Sequence, residues 1–100
     1  MGYSLPAAIG ASFSNIENNV SCIIGDGGLM ICLAELATVS KNKLPIKIFL
    51  VNNKGHGIQK QTIETWLNGN YVCVHGESGL AFPTDYKMIA KSFNLNYVRI

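Results

Sequence analysis

Two apolar runs, each closed by oxygen-bearing residues, constrain this chain more than anything else in it. Val20-Ser21-Cys22-Ile23-Ile24 ends on Gly25-Asp26-Gly27, and Ile46-Lys47-Ile48-Phe49-Leu50-Val51 ends on Asn52-Asn53. Short, nearly continuous apolar runs of this kind read as strands of a parallel sheet, buried on both faces. The 24 residues between Gly27 and Asn52 leave room for one helix. A strand, helix and strand of this size form a right-handed crossover with parallel strands. Such strands end at the same edge of the sheet, where open α/β sheets bind ligands. The Asp26 carboxylate and the Asn53 carboxamide therefore meet at one edge. There they offer oxygens to a hard cation and, beside it, a phosphate. Magnesium favours this chemistry, since it takes few protein ligands and fills its shell with phosphate and water.

The remaining pattern alternates in the same way. A short helix opens near Pro6, capped by Ser4 or Leu5, because proline suits a first helical turn. Its small residues Ala7, Ala8, Gly10 and Ala11 permit close packing. Asn15 to Asn19 reads as a polar connection. Gly28 to about Lys41 reads as one helix, apolar around most of its circumference and so well buried. Ile58 to about Leu67 is helical, Asn68 to Pro83 is loop, and Thr84 caps a helix over Asp85 to Phe93. Tyr97 to Ile100 starts another strand. The expected class is α/β: a partial, doubly wound parallel sheet with flanking helices.

Backbone N–H groups at Gly27 and Gly28, at the start of the helix after the first strand, suit a diphosphate, and the missing side chains let oxygens approach closely. A dinucleotide fingerprint starting at Gly25 would need glycine where Met30 stands, and no Gly-Lys-Ser or Gly-Lys-Thr of a P-loop occurs.

Gly25-Asp26-Gly27, 24 residues and Asn52-Asn53 together resemble the cofactor motif of the thiamine-diphosphate-dependent enzymes. The opening segment Met1-Gly2-Tyr3-Ser4-Leu5-Pro6-Ala7-Ala8-Ile9-Gly10-Ala11 is similar to the acetolactate synthase-like branch. The resemblance covers nearly the whole chain. It implies thiamine diphosphate and Mg²⁺ as cofactors, with Asp26, Asn53 and the Gly55 carbonyl as metal ligands. Gly25, Gly27 and Gly28 would hold the diphosphate. Met1 would contact the aminopyrimidine through its backbone and prop the cofactor into a bent shape with its side chain. His56 would meet the diphosphate or substrate, or stand solvated in its loop. Ile58 would line the thiazolium pocket, or serve packing alone. Gln59, Gln61 and Trp66 would belong to a segment that orders over the cofactor. Lys54 reads as a surface cation.

The same family needs a glutamate at the aminopyrimidine, supplied in similar enzymes by an earlier domain, usually of a second subunit. Glu35 lies too far along its helix to serve and reads as structural, so no catalytic residue is assigned. Residues 1–100 are thus expected to be a partial thiamine-diphosphate-binding domain, truncated at both ends. The implied parent acts on small 2-oxo acids by decarboxylation and carboligation. It joins the missing N-terminal domains in a homodimer or homotetramer. Two other readings stay open: a noncatalytic cofactor-binding or regulatory relative, and a generic nucleotide-binding α/β module.

Composition agrees with a chain built to face other protein. Apolar residues are 48% and charged residues 14% of its 100 residues, whereas a small domain has proportionally more surface to cover. A net charge of +2 with no basic stripe argues against nucleic acid. No apolar run has transmembrane length, and the amino end lacks a signal-peptide pattern. Cys22, Cys32 and Cys73 lack metal-site spacing and read as free thiols in a reducing compartment, the cytoplasm.

Overall fold

The computed structural model describes residues 1–14 and 19–100. The polar connection expected at Asn15 to Asn19 therefore lies almost wholly outside the described residues. Helix α1 spans Ser4–Ser14, strand β1 Val20–Gly25, helices α2 and α3 Asp26–Ile31 and Glu35–Lys41, strand β2 Ile46–Val51, helix α4 Gly57–Trp66 and helix α5 Tyr86–Ser92. A single 3₁₀ turn, Gly76–Ser78, interrupts the long loop between α4 and α5.

β1 and β2 pair in parallel, from Val20 opposite Ile46 to Gly25 opposite Val51. The crossover expected from the two apolar runs is present, and both strands end level with each other. The sheet is buried on one face only. Cys22 and Ile24 point into the core, while Ser21, Ile23 and Gly25 are exposed. This corrects the expectation of strands buried on both faces. All the helices packed closely on the sheet serve the face that carries Cys22 and Ile24. α1 leans on both strands and on α3, and α2 packs on both strands. Leu5, Ala8, Ile9, Leu29, Leu36 and Val39 join Cys22 and Ile24 in this core. Tyr86, Ile89 and Phe93 of the α5 region cover its margin.

Several boundaries move. The expected helix from Gly28 to Lys41 starts earlier, at Asp26, and is broken at Cys32 to Ala34. Glu35, Leu36 and Ala37 donate N–H bonds to the carbonyls of Cys32, Leu33 and Ala34, three residues back. That tighter pattern re-aims the chain between two short helices. Each half buries one stripe, and Met30 and Ile31 are exposed, so the segment is amphipathic rather than buried all round. α1 starts at Ser4, with the Ala7 N–H donating to the Tyr3 carbonyl. Ser4 and Leu5 therefore lie inside the helix and neither caps it, while Pro6 sits within the first turn as expected. Asp85, not Thr84, caps α5: its carboxylate accepts from the N–H groups of Lys87 at 2.7 Å and Met88 at 3.2 Å. Tyr97 to Ile100 forms no strand, and Val98 and Ile100 are exposed. These residue types suit a pleated, half-buried surface, and no described strand lies alongside to supply one.

Candidate functional site

The carboxyl edge of the two-stranded sheet carries the candidate site. β1 delivers Asp26 immediately past its last residue, and β2 delivers Asn52 and Asn53. Asp26 is 1% exposed. A buried carboxylate must be paired or hydrogen-bonded to stay charged. Here Oδ1 accepts from the Gly27 N–H at 2.8 Å, and Oδ2 accepts from the Lys54 N–H at 2.5 Å. The second bond crosses from the end of one strand to the loop after the other, so Asp26 fastens the two chain turns together. Each carboxylate oxygen keeps a further lone pair for a cation.

Lys54 reaches this position with φ of 57°. A left-handed conformation costs a side-chain-bearing residue about 1–2 kcal/mol. Its backbone N–H is held by Asp26, and also by the Asn52 carboxamide oxygen at 3.3 Å. The Asn53 oxygen accepts from the Gly55 N–H at 3.2 Å. Both asparagines are exposed and shape the loop by bonding two residues ahead. Gly55 then forms an antiparallel bridge with His75, and the His56 N–H donates to the Val74 carbonyl at 2.8 Å. The loop after β2 is thus stitched on one side to Asp26 and on the other to residues 74 and 75.

His56 turns its ring back over Gly27. A Cβ placed on Gly27 would stand 2.5 Å from His56 Cε1 and closer still to Nδ1. A side chain there would have to displace the ring. A Cβ on Gly28 would stand 3.2 Å from Ile24 Cγ1 and 3.7 Å from the Gly2 nitrogen. The amino end of the chain therefore abuts the same corner, although the Met1 side chain is exposed. Gly27 and Gly28 lie in the first turn of α2, where N–H groups lack intrahelical partners. α2 has only six residues, so those N–H groups, rather than any long helix dipole, are what it offers. Ile58 stands exposed in the first turn of α4.

The structure brings Asp26, Gly27, Asn53, Gly55 and His56 to one corner, with Gly25, Gly28 and Met1 beside it. Trp66 lies at the far end of α4, 78% exposed, and packs against nothing that would make it a core residue. Glu35 begins α3 beyond the break and accepts from the Thr38 hydroxyl at 3.1 Å. The single continuous helix along which its distance is reckoned is absent, since α2 ends at Ile31 and α3 starts at Glu35. His75 has its ring 5.3 Å from that of Tyr71.

One residue of the corner escaped the sequence. Tyr86, expected only as part of a helical stripe, sends its hydroxyl into the interior without a hydrogen-bond partner among the described residues. Burial, and next the Asp26 charge, push its phenol above the ordinary range. No spacing signal connects α5 with the end of β1.

Two observations test whether a diphosphate and its cation fit these residues. The His56 Nδ1 atom is buried with no partner among the described residues, and buried polar atoms seldom lack one. The oxygens at the corner come from one carboxylate, the carboxamides of Asn52 and Asn53, and the main chain. No cluster of three or more histidine, cysteine or acidic side chains able to hold a metal occurs among the described residues. A donor set of few, hard oxygens matches a cation that shares its shell with phosphate. The residues fit.

Comparison with known proteins places the chain in a family. The family described as thiamine pyrophosphate enzyme, C-terminal TPP binding domain, matches residues 1–100. The chain belongs to that family. The acetolactate synthase large subunit of Cyanidium caldarium is 35% identical over 100 residues, all of this chain and 17% of that protein. The large subunit of acetolactate synthase isozyme 1 of Escherichia coli is 49% identical over 61 residues, covering 61% of this chain and 11% of that protein. A thiamine diphosphate-dependent 4-hydroxybenzoylformate decarboxylase of Rhodococcus jostii RHA1 shares the fold, with a TM-score of 0.79 at 24% identity. That match covers 93% of this chain and 17% of the decarboxylase chain. The chain thus matches between 11% and 17% of the length of these relatives, 17% in the first of them. The α/β class is borne out, and a generic nucleotide-binding module is displaced by membership of the thiamine pyrophosphate family.

Proposed function

We propose that the chain supplies the diphosphate- and magnesium-binding half of an active site that acts on 2-oxo acids by acetolactate synthase-like decarboxylation and carboligation. The observation that carries this reading is Asp26, 1% exposed at the end of β1 and bonded to the Lys54 N–H beyond β2. That bond brings a carboxylate and the asparagine loop to one point, in a chain of the thiamine pyrophosphate family.

Asp26, Asn53 and the Gly55 carbonyl would hold the magnesium ion. Gly27 and Gly28 would face the diphosphate, with Gly25 setting the turn between them and β1. Met1, at the end of the segment that abuts Gly28, would lie towards the aminopyrimidine, and Ile58 towards the thiazolium. When bound, thiamine diphosphate supplies the electron sink that lets a 2-oxo acid lose carbon dioxide. The work of this chain is to bind and orient. Asp26 would hold the cation that offsets the phosphate charge, and its two backbone bonds fix the ligand atoms before the cation arrives. Preorganised ligands cost no reordering at the moment of binding. The activating glutamate would come from N-terminal domains of a longer polypeptide, in a cytoplasmic homodimer or homotetramer.

The test is calorimetric titration of the full-length protein with Mg²⁺ and thiamine diphosphate. Asp26→Ala should weaken Mg²⁺-dependent binding by about a hundredfold or more, beyond what loss of a supporting contact to a metal ligand costs. Asn53→Ala should act in the same direction and less strongly, because it removes a neutral oxygen. Unchanged affinity in the Asp26 variant removes the assignment.

A further inference from the structure

We propose that the cleft between the loop after β2, helix α4 and the 3₁₀ turn is a second anion site. It would take a small organic phosphate, with the phosphoryl group among Lys54, Lys60 and His75. The cleft has a volume of about 660 Å³. Asp26, Gly27 and Gly28, which carry the diphosphate reading, do not line it. The second site therefore goes beyond that reading and does not rest on it.

Three separate segments each bring one cation or donor to the cleft. Lys54 stands in the turn after β2, whose left-handed backbone is fixed by the bonds from its N–H to Asp26 and Asn52. Its ammonium forms no ion pair among the described residues. Lys60 comes from α4. Its partner Glu64 is 4.0 Å away, and both side chains are about half exposed. An exposed pair of that kind is worth little, and Glu64 also accepts from the Tyr71 hydroxyl at 2.6 Å. Lys60 thus keeps charge to offer. His75 is set by its bridge to Gly55 and by the Tyr71 ring at 5.3 Å. An imidazole carries at least one N–H donor. Glu77 is the one acid on the lining, against the two lysines, so the cleft is net positive. Lysine binds phosphate as a point charge, and two ammonium groups match the charge of a phosphate monoester. Leu80 and Phe82 add apolar surface to the same cleft. A bare phosphate would leave that surface uncovered, so the occupant carries an apolar body.

The test titrates the full-length protein calorimetrically with phenyl phosphate, inorganic phosphate and benzoate, with and without saturating Mg²⁺ and thiamine diphosphate. Phenyl phosphate should bind most tightly, since it alone joins a dianionic head to an apolar ring. Thiamine diphosphate should leave its affinity unchanged. Lys60→Gln and Lys54→Gln should each weaken it about tenfold, a change of about 1.4 kcal/mol, and Lys60→Arg should retain it. Histidine-labelled wild type gives a second readout independent of folding of the variants: the His75 ring resonances should shift as phenyl phosphate is added. Displacement of the probe by thiamine diphosphate would put it in the Asp26 corner and overturn the second site. Unmoved His75 resonances, or glutamine variants of wild-type affinity, would overturn it as well. Benzoate that binds as tightly as phenyl phosphate overturns the choice of phosphate, and inorganic phosphate that does so overturns the apolar body.

Discussion

Gly27 and Asp26 show how much one residue can settle. Gly27→Ala places a methyl carbon 2.5 Å from His56 Cε1, so either the ring or the turn must move. Overpacking of this kind costs about 1–3 kcal/mol, and chemical denaturation should show that loss. Gly27→Ala combined with His56→Ala should recover most of it, since the two residues share one contact and their effects are not additive. Full additivity would mean that the ring does not rest on Gly27. Asp26 and Asn53 were legible because strand ends are marked locally, by an apolar run meeting glycine, aspartate or asparagine. The Lys54 N–H that binds Asp26, 28 residues away in sequence, was not. Nor was the approach of Tyr86 to Asp26. Neither contact leaves a trace in spacing, because each arises when segments distant in sequence are brought together by packing.

At the scale of elements, the parallel pair was legible and the helix between its strands only in outline. Cys32, Leu33 and Ala34 contain no glycine or proline, and the apolar pattern runs through them without pause. The break accompanies tertiary packing, which brings Leu29, Cys32, Leu36 and Val39 into one core cluster. Asp85 took the cap from Thr84 for a similar reason, as adjacent residues with equivalent side-chain oxygens compete and backbone direction decides. The strand–helix interior also predicts a pH response. Burial, and then the neighbouring Cys32 thiol, push the Cys22 thiol above its ordinary 9.0. Burial, and to a smaller extent Glu35, do the same for Cys32 against its backbone hydrogen bond. In the unfolded chain both thiols ionise near 9.0, the ordinary value. Above that pH the unfolded state releases protons that the folded state retains, so stability is complete below 9.0 and falls as pH rises towards the folded values. Denaturation midpoints between pH 7.5 and 10.5, a range of about three units around the thiol reference, should fall. Cys22→Val, close in size and unable to ionise, should flatten the fall. An equal slope in that variant would assign the alkaline loss to other groups.

The whole molecule is a two-stranded sheet with one covered face. On the other face, Ile23 and Phe49 are directly opposite in register and 69% and 45% exposed, and Val51 beside them is 56% exposed. Apolar side chains exposed side by side on a sheet favour association, and both sheet edges present unpaired backbone groups. In relatives matched over 17% of their length, much more chain is present to cover such surfaces. The 100 residues expressed alone should therefore self-associate, bind thiamine diphosphate poorly, and show no turnover of pyruvate. The corner around Asp26 is built, but on the proposed reading the activating glutamate comes from elsewhere. Size-exclusion chromatography with light scattering would show species larger than 10.9 kDa. Ile23→Thr with Phe49→Thr keeps strand-forming residues and removes the apolar pair, so it should shift the distribution towards monomer. A stable monomer of the unmodified chain, turning over pyruvate with Mg²⁺ and thiamine diphosphate, would show that the exposed face needs no cover. It would show equally that the corner around Asp26 needs no second half.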